Sequence, residues 1–311
     1  MKAVRYAHYG EADVMHSEDV ERPHPGVGQV LVHVAGTSFN QFDGALRAGF
    51  LQQNMPLELP HTPGIDLAGT VTELGDGVSG LEVGETVIGL LPLNADGAAA
   101  DYALAPAEVL TAAPTSVPLA DAAAIPAVAL TAWQALFEHA QLQARQRILI
   151  NGAGGGVGGF ATQLAKHAGA FVIGTASPRS TDAVRAGGAH QIIDYTSTSV
   201  TTAVTEPVDV LLNLVIVKEQ EMTALTALVR DGGVLVSTTS DTPGDPARGV
   251  RGVRMFVRSD AKNLAAIVAK VDADELRLDI SERHPLSDIA LVQREGADGL
   301  IRGKVVLTPE G

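Results

Sequence analysis

An apolar stretch runs directly into a glycine-rich turn and then into a helical pattern over residues 147–166. The turn reads Gly152-Ala153-Gly154-Gly155-Gly156-Val157-Gly158. Its first glycines permit a sharp change of direction, Gly155 and Gly156 let backbone N–H groups approach a pyrophosphate, and Gly158 lets the helix lie close to the strand. A second apolar run follows at residues 171–176. The segment therefore predicts a strand-helix-strand unit that binds a dinucleotide, with the phosphates at the helix N-terminus.

Composition narrows the class of protein. The chain has 311 residues and a formal net charge of −14, which argues against a general affinity for nucleic acid or anionic membranes. It contains 0 cysteines, so it has no disulfides, thiolate nucleophiles or thiolate metal ligands. The N-terminus lacks the apolar core of a signal peptide, and the longest apolar stretch, residues 122–137, is interrupted by Pro126. We expect a cytoplasmic location.

The periodicity changes part-way along the chain. Short strand patterns separated by turns fill residues 1–121, with strands expected at 2–6, 29–35, 66–74 and 86–90. Strands then alternate with helices, at 147–151, 170–175, 191–193, 208–215, 233–238 and 253–257. The sequence predicts an α/β protein with a doubly wound parallel sheet in residues 122–263. The first domain is completed by residues 264–311, with helices from 264 and over 285–297 and a last strand at 303–307.

Several motifs along nearly the whole chain match a known family. They are Asn40 to Asp43 with Arg47 to Gly49, Pro63 to Gly69, Val83 to Gly89, Ala127 to Trp133, the glycine turn, and Gly303 to Leu307. The chain resembles zinc-free members of the medium-chain dehydrogenase/reductase superfamily, of the NADPH:quinone oxidoreductase type. The resemblance implies a GroES-like substrate domain and a Rossmann cofactor domain with the active site in the cleft between them. It also implies hydride transfer from a nicotinamide to a quinone or enone.

The resemblance also bears on zinc. At the positions where zinc-dependent relatives carry cysteine, histidine and cysteine, this chain has Asn40, Ile65 and Ala127. That set contains no metal-coordinating group, so we predict no metal site. A substrate oxygen must then be polarised by hydrogen bonds, and Asn40 is the candidate catalytic residue. The alternative is that Asn40 caps the following helical turn. Asp43 is expected to orient local structure, with Arg47 as its partner.

Related quinone oxidoreductases often carry tyrosines shortly after this asparagine, whereas this chain has Ala45 and Phe50-Leu51 there. The proton donor is therefore unassigned. Phe42, Phe50 and Leu51 are predicted to line an apolar pocket for a small, hydrophobic, electrophilic substrate, although aromatic residues of this kind also form cores.

The end of the second strand of the dinucleotide unit indicates the cofactor. An NAD-preferring site carries an acid there, but the chain reads Thr175-Ala-Ser-Pro-Arg179. Ser177 and Arg179 suit a 2′-phosphate, and the resemblance adds Tyr195, so we predict NADPH. By resemblance, the remaining cofactor contacts are Asn40, Thr131, Thr175, Asn213, Leu214, Thr238, Thr239, Phe256, Val257 and, more weakly, Lys304.

Three functions are compatible with these features. The first is an NADPH-dependent quinone or enone reductase that needs no zinc. The second is an enoyl-type reductase of a biosynthetic intermediate, and the third is a non-catalytic NADPH-binding or redox-sensing protein. The segment 251–257 is expected to be the edge strand of the sheet, which favours a homodimer.

Overall fold

The computed structural model describes residues 1–309. Its strands are β1 Lys2–Arg5, β2 His16–Asp19, β3 Gln29–Ser38, β4 Asp66–Leu74, β5 Thr86–Leu90, β6 Tyr102–Pro106, β7 Leu110–Ala112, β8 Arg147–Asn151, β9 Phe171–Ala176, β10 Gln191–Asp194, β11 Val208–Asn213, β12 Val229–Ser237, β13 Arg251–Arg254, β14 Ile280–Pro285 and β15 Lys304–Thr308. The α-helices are α1 Gln41–Arg47, α2 Pro126–Trp133, α3 Gly156–His167, α4 Thr181–Ala186, α5 Val200–Ala203, α6 Glu219–Thr226, α7 Ala261–Asp272 and α8 Ile289–Ala297. A π-helix over Gln134–His139 continues α2, and short 3₁₀ turns occupy Ala12–Val14, Ala107–Val109, Asp121–Ala124, Pro246–Arg248 and Leu286–Asp288.

The chain forms two compact units, and the first is rich in β-structure. It comprises Met1–Ala127, Ser259–Glu275 and the chain from Ile280 onwards. Its main sheet has the order β14-β15-β3-β4-β5-β7, and β6 pairs with β3. Val30, Val32 and Val34 of β3 are buried at alternate positions within its apolar core. This arrangement sets the ends of β3, β4 and β15 close to one another, where the polar residues of this unit are concentrated.

The second unit, Val128–Arg258 with Leu276–Asp279, contains a parallel sheet of six strands in the order β10-β9-β8-β11-β12-β13. The middle of its central strand β8 is apolar because both faces of the sheet are covered, and Ile148, Leu149 and Ile150 are fully buried. The strand order reverses between β8 and β11. In a doubly wound sheet, this reversal marks the ligand-binding edge, at the carboxyl ends of the strands.

The predicted fold class is confirmed: a GroES-like, β-rich domain accompanies a Rossmann-type parallel sheet. Two local predictions were wrong. The predicted helix over 285–297 begins as a 3₁₀ turn and becomes α-helical only at Ile289, and the strand β14 before it was missed. The predicted strand 253–257 lies instead at Arg251–Arg254, because only those residues pair with β12. The domain limits at 121 and 264 stay a prediction; the compact units change at Ala127 and Ser259.

Among residues 1–309, no helix combines the length and the apolar character that crossing a bilayer requires.

Candidate active site

The glycine turn after β8 has the geometry that a dinucleotide requires. Gly152 has a φ of +98°, a left-handed conformation that favours glycine. A Cβ on Gly158 would lie 2.3 Å from the carbonyl oxygen of Gly152, so only glycine lets α3 pack against the turn. A Cβ on Gly155 would have no neighbour closer than 3.7 Å. The turn is therefore closed on its inner side at Gly158 and open at Gly155, where a ligand can approach the backbone.

The helix α3 begins directly at this opening. Gly155 is its N-cap, and no side chain among the described residues caps it. Its first turn carries no acidic residue that would compete with an anion. The positive end of the helix dipole and its first N–H groups thus suit a pyrophosphate. Ala153 is buried and Gly154 lies against Ser180, while Gly156 and Val157 are half-buried in the first turn.

A buried polar network joins the carboxyl ends of the central strands. The amide nitrogen of Asn151 donates to Oδ1 of Asn213 at 2.9 Å, which ties β8 to β11 where the strand order reverses. Thr175 donates to Asn151 and accepts the N–H of Gly152, and Asn213 donates to Ser237 and Thr239. The predicted residues Thr175, Asn213 and Thr239 therefore hold the turn and the strand ends in place, and Thr238 is half-buried beside them. Asn151 and Ser237 were missed, although each is a polar residue ending an apolar strand.

The segment after β9 carries the residues predicted to recognise a 2′-phosphate. Ser177 is buried immediately after the strand, whereas Arg179 is exposed two residues later. Ser180, which the sequence analysis missed, accepts the N–H of Ser177 at 3.2 Å and so shapes this corner. Asp182 points elsewhere, because it pairs with Arg185 within α4. Tyr195 follows the neighbouring strand β10 and is 55% exposed.

The other predicted cofactor residues of this unit vary in burial. Thr131 is buried in α2, Leu214 is half-buried after β11, and Val257 is half-buried after β13. Phe256 is 57% exposed, with the guanidinium of Arg254 5.0 Å from its ring centroid. No contact of these four side chains tests the role that the resemblance assigns to them, so that role stays a prediction.

The β-rich unit holds a second polar cluster around Lys304 and Asp66. The ammonium of Lys304 donates to the carbonyl of Phe39 at 2.7 Å, to Oδ1 of Asn40 at 2.9 Å and to Oδ2 of Asp66 at 3.3 Å. Only 4% of Lys304 is exposed. These contacts occupy its three N–H donors, so Lys304 is not placed to bind a phosphate as the sequence analysis suggested. Burial lowers the pKa of Lys304, and the neighbouring Asp66 carboxylate opposes that shift.

Asn40 lies at the N-cap position of α1, but its side chain makes no capping bond. Its amide nitrogen donates to Oδ2 of Asp66 at 2.8 Å and, more weakly, to the carbonyl of Ser38 at 3.3 Å. Because Oδ1 faces the Lys304 ammonium and Nδ2 faces the Asp66 carboxylate, the charges fix which way the amide points. Asn40 is therefore held by the buried pair rather than by the helix.

Asp43 is buried next to this cluster and accepts the N–H of Gly64 at 3.0 Å. Loss of hydration raises its pKa to about 7, and the Asp66 charge adds to that effect, although the Gly64 hydrogen bond opposes it. The expected partnership with Arg47 was wrong. The Arg47 guanidinium donates to the side chain of Gln293 and to the carbonyl of Gly10.

The residues predicted to line an apolar pocket differ in burial. Phe42 and Leu51 are half-buried, and Phe50 is 84% exposed on the segment that follows α1. One cavity of this unit is lined by other residues, among them Ser38, Phe39 and Asp43. A substrate pocket at Phe42, Phe50 and Leu51 stays a prediction.

The positions at which zinc-dependent relatives carry ligands hold one amide and two apolar side chains. Ile65 and Ala127 are buried and apolar, and Asn40 is bonded to Lys304 and Asp66. Within residues 1–309, no group of three or more histidine, cysteine, aspartate or glutamate side chains is arranged to hold a metal ion.

Two family models match the chain. Residues 26–115 match the alcohol dehydrogenase GroES-like domain, and residues 187–307 match a model described as zinc-binding dehydrogenase. The chloroplast envelope quinone oxidoreductase homolog of Arabidopsis thaliana is 30% identical, over 99% of this chain and 98% of that protein. The chain belongs to the medium-chain dehydrogenase/reductase superfamily, in its quinone oxidoreductase branch. The match to a quinone-oxidoreductase homolog of Spinacia oleracea, at 35% identity, covers 63% of this chain and 61% of that protein.

Solved structures agree with this assignment. The quinone oxidoreductase of Coxiella burnetii superposes with a TM-score of 0.91 at 28% identity, over 100% of this chain and 99% of that one. A mycobacterial protein solved in complex with NADPH superposes with a TM-score of 0.86 at 25% identity, over 99% and 100% of the two chains. This member of the quinone oxidoreductase branch is thus an oxidoreductase with a nicotinamide cofactor.

The open side of the glycine turn gives a direct test of cofactor approach. Gly155→Ala adds a methyl group in ordinary van der Waals space, so we expect the fold to persist. The methyl group would occupy the approach to the helix N-terminus and weaken NADPH binding about tenfold or more, which is ~1.4 kcal/mol. Titration of NADPH fluorescence measures the change. Gly159→Ala is the matched control, since its Cβ would meet nothing within 4 Å. Equal affinities for both variants would contradict this account of the turn.

The raised pKa of Asp43 predicts how stability depends on pH. The folded chain holds this proton up to about pH 7, whereas the unfolded chain releases it near 3.8. The contribution of Asp43 is therefore fully present below the unfolded value and is lost as pH rises through the folded value, by about 1.4 kcal/mol per pH unit. Between pH 5 and 8, the stability of Asp43→Asn should rise relative to wild type and then level off. Urea unfolding of both proteins across this range measures it, and a constant difference would show that Asp43 is already ionised.

Proposed function

We propose that this chain is an NADPH-dependent reductase that transfers hydride to a quinone or an α,β-unsaturated carbonyl without zinc. The observation that carries the proposal is the buried Lys304–Asp66 pair, which binds Asn40 at the position where zinc-dependent relatives have their first ligand. A cation and a hydrogen-bond donor are present at this point of the β-rich unit, whereas residues 1–309 contain no group of three or more side chains arranged to hold a metal ion.

The residues of the parallel-sheet unit fit the phosphorylated cofactor. The N-terminus of α3 and the open backbone at Gly155 would hold the pyrophosphate. Arg179 would pair with the 2′-phosphate, supported by Ser177 and Tyr195, and the segment 175–179 at the end of β9 contains no acidic residue. When bound, NADPH supplies the hydride.

Asn40 would polarise the acceptor oxygen of the substrate. The Lys304 ammonium donates a hydrogen bond to Oδ1 of Asn40. This contact draws electron density towards Oδ1 and makes the Nδ2 hydrogens stronger donors. Of its two donor contacts, the one to the Ser38 carbonyl is the longer, at 3.3 Å. A substrate oxygen would replace that contact, while the contact to Asp66 keeps the amide in place. Solvent supplies the proton that completes the reduction.

One experiment distinguishes the proposed function from two alternatives, an enoyl-type reductase and a non-catalytic NADPH-binding protein. An enoyl-type reductase would use the same hydride chemistry on a biosynthetic thioester or acid. A non-catalytic NADPH-binding or redox-sensing protein would need the cofactor site but not Asn40. We further propose that the protein is cytoplasmic and forms a homodimer through the sheet edge at β13, whose outer residue Arg251 is exposed.

The function is tested by following NADPH oxidation with a panel of quinones and a panel of enones and enoyl thioesters. We expect turnover with members of the quinone or simple enone set. Turnover confined to enoyl thioesters would favour the biosynthetic reductase. Tight NADPH binding with no turnover on either panel would contradict the proposed activity and favour the binding protein.

The choice of cofactor is tested with Arg179→Ala. Loss of the guanidinium should raise the dissociation constant for NADPH about tenfold or more and leave that for NADH nearly unchanged. Arg185→Ala is the matched control, because this exposed arginine pairs with Asp182 in α4. If Arg179→Ala weakened both cofactors equally, Arg179 would not recognise the phosphate.

A further inference from the structure

Asp66 is the most heavily hydrogen-bonded side chain of the β-rich cluster. It is fully buried at the start of β4. Its Oδ2 accepts the hydroxyl of Ser38 at 2.5 Å, the amide of Asn40 at 2.8 Å and the Lys304 ammonium at 3.3 Å. Its Oδ1 accepts the backbone N–H of Ala127 at 2.7 Å. The carboxylate thus joins β3, β4, β15 and the start of α2.

Two of these contacts lie at positions where, by the family resemblance, zinc-dependent relatives carry metal ligands. Asn40 holds the first position and is bonded to both members of the pair. Ala127 holds the third position and donates its N–H to Asp66, and Ile65, at the second position, directly precedes Asp66 in the chain. The buried pair therefore connects Asn40 to Ala127, although these residues lie far apart in the chain.

We infer that Lys304 and Asp66 are positioning residues: they fix the Asn40 amide in the orientation and rotamer that reduction requires. The inference rests on the proposed function, in which Asn40 donates to the substrate oxygen. Neither Lys304 nor Asp66 needs to touch substrate or cofactor. Both act through Asn40, and Lys304 does so without binding a phosphate.

Stability alone does not account for the pair. Burying two charges removes their hydration, and replacing such a pair by neutral side chains of similar size is often neutral or stabilising. Removing one partner is different, because it leaves the other charge buried and unpaired. Three donors of Lys304 meeting three acceptors also indicate the charged ammonium rather than the neutral amine, which has only two donors.

Replacing one residue of the pair and replacing both should affect stability differently. Comparing the single and double variants therefore distinguishes a role in positioning Asn40 from a role in stabilising the fold. Lys304→Met leaves Asp66 uncompensated and should lower the melting temperature strongly. The double variant Lys304→Met/Asp66→Asn is neutral, and the new amide can still accept the Ala127 N–H. We expect it to recover most of the lost melting temperature. Without the two charges, however, the longer contact to the Ser38 carbonyl and the nearby Asp43 should hold the Asn40 amide less firmly in its present orientation.

The first readout needs no turnover. In ¹⁵N-labelled protein without cofactor, the Asn40 side-chain amide signal, assigned by its absence in Asn40→Ala, should be protected from hydrogen exchange. In the double variant the signal should shift and its exchange should become fast. Arg283→Met/Asp121→Asn is the matched control, because it removes another ion pair of the same unit, with a 2.7 Å contact, that makes no contact with Asn40. An unchanged Asn40 signal in the double variant would overturn the inference.

The second readout is kinetic and uses NADPH with whichever quinone or enone wild type reduces. The double variant should lose kcat about 10²-fold, as when one oxyanion donor is removed, with an unchanged dissociation constant for NADPH. Adding Asn40→Ala to the double variant should not lower kcat any further. If Asn40→Ala still lowers kcat as much in the double variant as in wild type, the pair does not act through Asn40. Should wild type reduce neither class, the proposed function fails, while hydrogen exchange still decides the inference.

Discussion

The contact between the Lys304 ammonium and the Asp66 carboxylate, buried at the end of the β-rich sheet, is the interaction on which the proposed chemistry depends. The cost of removing two charges from water is met there by hydrogen bonds from Ser38, Asn40 and Ala127. A network of this kind tolerates little rearrangement, because any broken contact leaves a buried charge less than fully satisfied. That rigidity gives a flexible asparagine a defined orientation.

The parallel-sheet unit meets a different requirement with different means. It must leave room for an anion, so it presents uncharged backbone rather than side chains at the glycine turn. The strand that leads into the turn is fixed by the hydrogen bond between Asn151 and Asn213, which joins β8 to β11 where the strand order reverses. The side chain of Asn151 forms hydrogen bonds with both Thr175 and Asn213 at the ends of the neighbouring strands. Their hydrogen bonds therefore support the turn at the ligand-binding edge of the sheet.

Sequence reasoning was most successful where local chemistry decides structure. The turn at Gly152–Gly158 could be predicted because its glycines have backbone reasons that no other residue meets. The contacts of Lys304 could not be predicted, because its three acceptors, at Phe39, Asn40 and Asp66, lie more than two hundred residues away from it in the chain. The one available signal was the acid Asp66 at the start of an otherwise apolar strand pattern, directly after Ile65. Likewise, Arg47 was paired with Asp43 by proximity in sequence, whereas its partners come from Gly10 and Gln293.

We propose that the buried ammonium of Lys304 and carboxylate of Asp66 hold Asn40 for a reduction that needs no zinc. The most direct measurement is the zinc content of purified protein that is oxidising NADPH, taken before and after treatment with a strong chelator. We expect far less than one zinc per chain and an unchanged rate after chelation. Stoichiometric zinc whose removal abolished turnover, and whose return restored it, would contradict this proposal.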